Sequence, residues 1–160
     1  MTSPRIAHPG LAARRMDAAQ AAEWIQPGMA VGMSGFTGAG YPKAVPQALA
    51  ARMEAARERG EAFALRVLTG ASTAPELDGA LARAGGIDFR LPYQSDPELR
   101  ARINRGEIEY MDLHLGHVAQ YAWFGFLGKI DVAVIEVAGI LPDGRLIPST
   151  SVGNNKTWLA

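Results

Sequence analysis

The chain has 160 residues, and its 16 Lys and Arg residues balance 16 Asp and Glu residues, so the formal net charge at neutral pH is zero. This length suffices for one domain with a sizeable core, and the balanced charge argues against a nucleic-acid binder or a protein that binds membrane surfaces. The chain contains no cysteine, which excludes disulfides and thiolate metal sites and fits a reducing compartment, so we expect a cytoplasmic protein.

The first sixteen residues contain Arg5, Arg14 and Arg15 but no acidic residue. That composition weakly suggests a transit peptide, but serine is scarce and no long amphipathic pattern is present. We therefore interpret this segment as an irregular N-terminal arm. No apolar run in the sequence approaches the length of a membrane span.

The first predicted elements are a short helix and a short strand. Asp17 is predicted to cap a helix that runs to Gln26, with Gln20 completing a capping box. The helix ends at Pro27-Gly28, and a short apolar strand follows at residues 30–33.

A glycine-rich turn follows this strand. Four glycines fall within nine residues, at positions 32, 35, 38 and 40, and Ser34 and Thr37 stand among them. Such a turn is expected to leave backbone N–H groups free and to let another molecule approach the chain closely. Pro42 is expected in the first turn of the next helix, which runs to about Arg59.

The next part of the chain alternates strands with helices. Three strands are predicted at 64–69, 87–91 and 107–113. Thr73 and Glu76 are predicted to form a second capping box, and Asp96 is predicted to open the helix that ends at Gly106. A further helical stretch is expected from about Gly116 to Leu127.

The strongest strand signal is the β-branched run from Ile130 to Val137, which suits a central position in a parallel sheet. Asp143-Gly144 predicts a turn between two short apolar segments. The last residues, 149–160, are turn-like and then begin what could be a helix. We expect this element to be cut short, so the chain is predicted to be truncated at its C-terminal end.

The alternation of strands and helices predicts a single α/β domain over residues 1–160, with an open, mostly parallel, doubly wound sheet and flanking helices. In such sheets, ligands bind outside the carboxyl ends of the strands. The loops at these ends are 34–41, 69–73, 92–95 and 114–117, and all of them are rich in small or hydrogen-bonding residues.

The glycine-rich turn fails both phosphate-binding fingerprints. Tyr41-Pro42 separates the last glycine from Lys43, which breaks the P-loop pattern, and the glycine order does not match Gly-x-Gly-x-x-Gly. Two interpretations stay open. The turn is either a tight strand–helix junction without a ligand, or a ligand-binding loop that uses Ser34, Thr37 and Lys43.

Ser72 and Ser95 each lie at a strand end, close to a helix start. Serine often caps helices, but Thr73 and Asp96 can take that role and leave both serines free to face a ligand. Neither serine has an obvious His–Asp partner, so a serine hydrolase triad is unsupported.

Other polar candidates each have a simpler structural explanation. His114 and His117 could form a metal pair, but no third ligand stands at a suitable spacing, which favours structural or substrate-facing histidines. Glu136 lies at the end of a buried strand, where a carboxylate can act as a base or a nucleophile. The alternative is a hydrogen-bonded structural acid, and we favour this alternative. Three aromatic residues are interpreted as core or interface residues: Trp24, Trp123 and Phe124.

Seven short motifs run in order across nearly the whole chain. They are Ser34–Lys43, Leu68–Thr73, Pro75–Gly79, Tyr93–Asp96, Arg102–Asn104, His114–Ala119 and Ser149–Asn154. Together they resemble the N-terminal part of the acetyl-CoA hydrolase/transferase family, in particular succinyl-CoA:acetate and related class I CoA-transferases.

The resemblance implies an enzyme made of two related α/β halves with the active site between them. A glutamate in the second half would form a glutamyl–CoA thioester, and that nucleophile would lie beyond residue 160. Glu136 does not take its place in the motif pattern. We therefore expect no catalytic residue here, and we expect this chain alone to be inactive.

For the chain itself, the resemblance implies the acyl and carboxylate side of the site, lined by Ser72 and Ser95. A neighbouring wall would be formed by Ser34, Gly35, Thr37, Gly38 and Gly40, with Lys43 as a weaker candidate. We expect no metal and no cofactor, because coenzyme A is a substrate. The expected partners are acyl-CoA, a small carboxylate and either a C-terminal half or further copies in a homo-oligomer, with no nucleic acid and no membrane.

Two other functions stay open. A non-catalytic binding or assembly module would use the apolar surface of a half-enzyme, with Trp123, Phe124 and Phe126 as its contact residues. A Rossmann-like nucleotide binder is the weaker alternative, because both fingerprints fail.

Overall fold

The centre of the protein is a sheet of five parallel strands, seen in a computed structural model that describes residues 5–160. The strands are β1 (Ala30–Met33), β2 (Leu65–Leu68), β3 (Ile87–Leu91), β4 (Glu109–Tyr110) and β5 (Val132–Val134). They lie in the order β4-β3-β2-β1-β5, and each neighbouring pair is parallel. Two further strands, β6 (Val137–Ile140) and β7 (Leu146–Pro148), form a separate antiparallel hairpin. This confirms the predicted α/β class and the open, mostly parallel sheet.

Helices flank the sheet on both faces. The helices of the described residues are α1 (Pro9–Ala12), α2 (Ala18–Glu23), α3 (Ala44–Glu58), α4 (Ala80–Arg83), α5 (Pro97–Asn104), α6 (Leu115–Trp123) and α7 (Asn155–Trp158), and α2 to α7 contribute to the cores on the two faces. A π-helical turn, Pro75–Gly79, leads directly into α4. Within the described residues, every helix is too short or too polar to span a bilayer.

Alternating side chains of β1 supply two separate cores. Val31 and Met33 pack against the helices α2 to α5, whereas Ala30 joins a second core with Val118 of α6 and Trp158 of α7. Trp158 reaches the backbone of β1 because the intervening residue is glycine. A Cβ atom on Gly32 would lie 2.8 Å from Cγ of Trp158. The end of the chain is therefore anchored on the central part of the sheet.

A buried ion pair connects the loops that follow β2 and β3. The guanidinium of Arg90 donates from Nε to Oδ1 of Asp78 at 3.0 Å and from Nη2 to Oδ2 at 2.9 Å. Both side chains have no exposed surface. Nη1 of Arg90 also donates to the carbonyl oxygens of Leu91 and Pro92, and Asp78 Oδ2 accepts the backbone N–H of Thr73. The pair thus holds the backbone of both loops in place.

Several predicted elements are confirmed. Asp17 and Gln20 form the expected capping box of α2, although that helix ends at Glu23 rather than Gln26. Asp96 caps α5, since its carboxylate accepts the N–H of Leu99. The predicted turn at Asp143 joins β6 to β7.

The prediction that the run Ile130–Val137 forms a central strand is wrong. Only Val132–Val134 belongs to the five-stranded sheet, as the half-buried edge strand β5. The chain leaves the sheet at Ile135 and Glu136, and the residues from Val137 onward pair with β7 instead. β-branched composition indicates a strand, but long-range pairing decides its position in the sheet.

Two predictions at helix starts are also wrong. Thr73 and Glu76 form no capping box, because Asp78 accepts the N–H of Thr73 and the carboxylate of Glu76 accepts the hydroxyl of Tyr41. Pro42 lies outside the first turn of α3, which begins at Ala44. In both places a tertiary contact or a longer loop replaces the expected local arrangement.

The contact between Gly32 and Trp158 gives a first prediction. Gly32→Ala places a methyl group against the indole, so we expect it to lower the free energy of unfolding by about 1–3 kcal/mol through overpacking. Gly38→Ala is the matched control, because a Cβ atom there meets no atom within 4 Å. Its effect should stay within about 0.5 kcal/mol. Urea unfolding of the two variants measures the difference, and equal effects would contradict the described packing.

The buried ion pair gives a second prediction. Asp78→Ala leaves the Arg90 charge buried without a partner, which should cost about 3–5 kcal/mol of unfolding free energy. The double variant Asp78→Leu with Arg90→Met should cost much less than the sum of the single changes, since it removes both charges.

Urea unfolding also measures this cycle, and the double variant keeps it informative if a single variant fails to fold. Glu61→Gln breaks the exposed pair with Arg59 and serves as the control. A loss no larger for Asp78→Ala than for this control would contradict the prediction.

Candidate functional site

A cleft of about 430 Å³ opens at the carboxyl ends of four strands. Its lining residues follow β1, β2, β3 and β4, and they are Phe36, Thr37, Ala71, Ser72, Tyr93, Leu113, His114 and Leu115. This is the edge of the sheet where ligands of parallel α/β proteins bind. It is also the edge that the sequence predicted.

Ser72 and Ser95 meet at this cleft. The hydroxyl of Ser95 donates to the hydroxyl of Ser72 across 3.1 Å. Ser72 is buried and lines the cleft, whereas Ser95 belongs to the more exposed loop after β3. Because the oxygen of Ser72 accepts this bond, its own hydrogen is free to point elsewhere and to donate to a ligand.

The buried ion pair positions the two serines. Thr73, the residue after Ser72, donates its N–H to Asp78. The carbonyl groups of Leu91 and Pro92, shortly before Ser95, accept hydrogen bonds from Arg90. The short distance between the two hydroxyls therefore depends on contacts outside the cleft.

The glycine-rich loop is a tight turn closed on itself. Phe36 donates its N–H to the carbonyl of Ala39 at 2.8 Å, and Ala39 donates back to Phe36 at 3.1 Å. Thr37 and Gly38 form the exposed tip, and Thr37 has a left-handed φ of 53°. Two of the N–H groups that the sequence suggested were free are thus used inside the turn. Only the Phe36–Thr37 part of the loop lines the cleft.

The base of the glycine loop is covered by the chain's own C-terminal segment, residues 149–154. Ser34 is fully buried, and its hydroxyl accepts the N–H of Asn154 at 2.6 Å. A Cβ atom on Gly40 would lie 2.6 Å from the hydroxyl oxygen of Ser151, and one on Gly35 would lie 2.6 Å from Cβ of Tyr41. Ser34, Gly35 and Gly40 therefore pack against protein rather than line the cleft.

A chain of polar contacts lies next to this segment. Nζ of Lys43 donates to Glu136 Oε2 at 2.7 Å and to the carbonyl of Tyr41 at 2.9 Å, and Ser149 donates to Glu136 Oε1 at 2.7 Å. Burial raises the pKa of Glu136, but the hydrogen bonds from Lys43 and Ser149 outweigh burial and lower its pKa. Glu136 is thus an ionised acid with both oxygens bonded, which fits the structural role that the sequence favoured.

His114 has two roles in the structure. Its Nδ1 accepts the N–H of Gly116 at 3.2 Å and so caps α6, and the residue is also among those that line the cleft. The ring of His117 lies 5.1 Å away, centroid to centroid. Among residues 5–160, no three His, Asp or Glu side chains come together as potential metal ligands.

Sequence reasoning missed Tyr93 as an individual lining residue. It lies in the predicted loop after β3, and its hydroxyl accepts a hydrogen bond from Nη2 of Arg100 at 2.8 Å. The signal was present in the sequence, since Tyr93 comes two residues before Ser95.

The aromatic residues interpreted as core or interface residues are not in the core. Trp24 and Phe124 are each 72% exposed, and Trp123 is 57% exposed. Phe126 is 71% exposed and contacts Phe124 and Tyr121 through its ring. This aromatic patch, residues 121–126, begins in the last turns of α6, whereas the cleft lies at the start of that helix.

The Tyr41–Glu76 contact gives a prediction about pH. Burial, followed by the hydrogen bond to Glu76 and its charge, raises the pKa of Tyr41 from 10.0 to about 12. A raised pKa means that the folded state binds the proton more tightly. The stability that Tyr41 contributes is therefore fully present below pH 10 and lost as the pH rises toward about 12.

We expect the unfolding free-energy difference between wild type and Tyr41→Phe to shrink across this range, as measured by urea unfolding. Ultraviolet titration of the wild type should show a phenol that ionises near pH 12, and this ionisation should be absent in Tyr41→Phe. Glu76→Gln should bring that ionisation closer to the ordinary value, and Tyr121→Phe is the control for removing an exposed phenol. A Tyr41 phenol that titrates normally would contradict the contact.

Comparison with known sequences identifies relatives across the whole chain. Residues 12–160 match the family described as the acetyl-CoA hydrolase/transferase N-terminal domain. The chain is 42% identical over 159 residues to succinyl-CoA:acetate CoA-transferase of Clostridium kluyveri, covering 99% of this chain and 29% of that protein. It is 46% identical over 145 residues to propanoyl-CoA:succinate CoA transferase of Escherichia coli K12, covering 91% and 30%. Acetyl-CoA hydrolase of Schizosaccharomyces pombe is 34% identical over 143 residues, covering 86% and 27%.

Solved structures agree on the fold. An acyl-CoA transferase from Escherichia coli O157:H7 matches with a TM-score of 0.53 at 14% identity, over 67% of this chain and 21% of that chain. A second structure of that enzyme, a thioester complex with CoA, also gives a TM-score of 0.53. The chain spans about 30% of the length of the two CoA-transferases that it matches. The chain belongs to the acetyl-CoA hydrolase/transferase family, as its N-terminal domain.

Proposed function

We propose that this chain forms one wall of the active site of an enzyme that exchanges coenzyme A between a short acyl-CoA and a small carboxylate, or hydrolyses the acyl-CoA. The observation that carries the proposal is the hydroxyl pair of Ser72 and Ser95, at 3.1 Å, in a cleft at the carboxyl ends of the strands. The names of the relatives, which are CoA-transferases and acetyl-CoA hydrolases, support this class of reaction.

The proposed role of Ser72 is to donate a hydrogen bond to a carboxylate or thioester oxygen. Such donors contribute most when they already point at the position where negative charge develops. Ser95 would act through Ser72, since it donates to that hydroxyl and leaves the hydrogen of Ser72 free. The apolar side chains of Phe36, Leu113 and Leu115 would contact the short acyl chain.

The apolar walls of the cleft are exposed to solvent, and this exposure argues that another part of the enzyme supplies a second wall. Phe36 is 54% exposed and Leu115 is 42% exposed, so both are placed to be covered by another part of the enzyme. We propose that this part carries the glutamate nucleophile implied by the family resemblance. Glu136 is a poor substitute, because Lys43 and Ser149 occupy its two oxygens. Residues 1–160 would then be one inactive domain of a larger site, with coenzyme A as substrate and no additional cofactor.

A second candidate function is a non-catalytic assembly module. The specific observation in its favour is the exposed aromatic patch, residues 121–126, which includes Trp123, Phe124 and Phe126. In that case the patch would bind a second copy of the chain, and the cleft would have no role in turnover.

One chimera tests the two candidates. This chain is fused to the C-terminal portion of the Escherichia coli K12 propanoyl-CoA:succinate CoA transferase that follows the matched region, and CoA transfer is assayed. We expect transfer by the chimera, none by the 160-residue chain and none by the C-terminal portion alone. Turnover by the isolated chain would overturn the proposal, and an inactive but folded chimera would favour the assembly module.

The serine pair gives a prediction in the same chimera. Ser72→Ala removes the proposed donor, so we expect kcat/KM to fall by about 10²-fold. Ser95→Ala should cost less, since it removes only the bond that orients Ser72. Tyr121→Phe, which removes a hydroxyl outside the cleft lining, is the control and should leave the rate unchanged. Full activity after Ser72→Ala would remove this serine from the site.

A further inference from the structure

We propose that the outer edge of β5, the side of this strand that faces away from β1, is a docking surface for one further β-strand. That strand comes from the part of the proposed larger enzyme that lies outside residues 1–160. The docking surface rests on the proposed function, since it is where this other part would attach, and it is separate from the cleft over β1 to β4.

The outer edge of β5 has no partner strand in the described part of the chain. β5 pairs with β1 on one side and ends the five-stranded sheet on the other. Backbone N–H and C=O groups along such an edge can pair with an added strand. The carboxylates on either side of β5 have other partners. Asp131 accepts the N–H of Ala30 at 3.0 Å, and Glu136 accepts from Lys43.

The opposite edge of the sheet is built differently. β4 consists of only two residues, and its Glu109 is exposed. A short strand with a charged side chain is a common way to prevent pairing at a sheet edge. β5 has neither protection, because it contains only valine and alanine and continues into Ile135. Of these two edges, the composition of β5 is the one that suits an added strand.

The first face of β5 borders an exposed apolar cavity. Val132 and Val134 pack toward the core formed with α2 to α5. Beside them lies a cavity of about 340 Å³, which is also lined by Trp24 and Met16. These two side chains are 72% and 45% exposed. An apolar side chain of an added strand would fill this cavity and cover Trp24.

The second face borders another apolar cavity. Ile135 packs toward the core that contains Trp158 of α7. Ile135 also lines a cavity of about 470 Å³ together with Val152 and Leu159, which are 49% and 55% exposed. Because helices α2 and α7 belong to the cores on opposite faces of the sheet, the added strand must present apolar side chains on both of its faces.

The relatives indicate where such a strand comes from. The chain covers 29% and 30% of the two CoA-transferases, which leaves about 70% of each outside the matched region. Leu159 and Ala160 line the same cavity as Ile135. In the proposed larger enzyme, polypeptide that continues from this cavity would therefore be within reach of the outer edge of β5.

Amide hydrogen exchange tests the docking surface without turnover. The chimera described above is compared with the 160-residue chain by mass spectrometry. We expect the segment 130–136 to exchange at least about tenfold more slowly in the chimera, because an added strand would bond the N–H groups along the outer edge. The central strand β2 should be protected in both samples and serves as the reference for correct folding.

A charge placed beside the edge should weaken the docking. In the chimera, we expect Trp24→Glu to speed exchange of the segment 130–136 by about tenfold or more, since a buried tryptophan is often a dominant contact of an interface. Trp123→Glu is the matched control, because Trp123 is another exposed tryptophan but lines neither of the two cavities. It should leave this exchange unchanged.

Three outcomes separate the possibilities. Equal exchange of the segment 130–136 in an active chimera and in the isolated chain would overturn the docking surface alone. Protection that already appears in the isolated chain and grows with its concentration would also overturn it, because the occupant would then be a second copy. Protection in a chimera that transfers no CoA would support the docking surface and count against the proposed function alone.

Discussion

The Asp78–Arg90 ion pair is the interaction on which the geometry of the cleft depends. Both side chains are completely buried, and together they hold the backbone at Thr73, Leu91 and Pro92. Burying two charges carries a desolvation penalty that their attraction only partly offsets, so such a pair adds little net stability over an apolar replacement. Its clear contribution here is positional. It connects the loop after β2 to the loop after β3, and these loops carry Ser72 and Ser95.

A second constraint is that the chain itself fills the crevice in which a ligand of such a sheet usually binds. In sheets of this kind, the usual binding crevice lies where the strand order reverses, which here is between β1 and β5. The segment 149–154 fills that position, held by the bond from Asn154 to Ser34 and by the bond from Ser149 to Glu136. The open cleft therefore lies over β1 to β4 instead, and the base of the glycine-rich loop serves the packing of the chain against itself.

The sequence predicted well most of what depends on neighbouring residues. Alternation of strands with helices gave the α/β class, and the caps at Asp17 and Asp96 form as expected. Apart from the start of α3 and the end of α2, the failures involve partners far away in the chain. The run Ile130–Val137 has the composition of a buried strand, but its pairing partners set it at the sheet edge. Glu76 bonds Tyr41 rather than the start of its own helix.

The candidate site shows the same contrast between local patterns and long-range contacts. Position at a strand end was enough to identify Ser72, Ser95 and Thr37 as candidates near a common edge, and the structure brings them to one cleft or into contact with it. Ser34 had the same local signature, yet Asn154 buries it from a position 120 residues further along the chain. No local pattern could reveal that contact. The position of His114 at the cleft likewise depends on how β4 is placed beside β3.

Two lining residues of the cleft, Ser72 and His114, are held in different ways. Ser72 stands on a loop fixed by a fully buried, bidentate ion pair, whereas His114 is held by one hydrogen bond at the exposed start of α6. A carboxylate or thioester oxygen is common to every substrate of the proposed reaction, so a rigid donor suits the position of Ser72. The exposed start of α6 lies outside the buried pair, so a change there leaves the pair undisturbed. Replacing a lining residue at the start of α6 should therefore cost the fold little, whereas the position of Ser72 depends on the stability of the core.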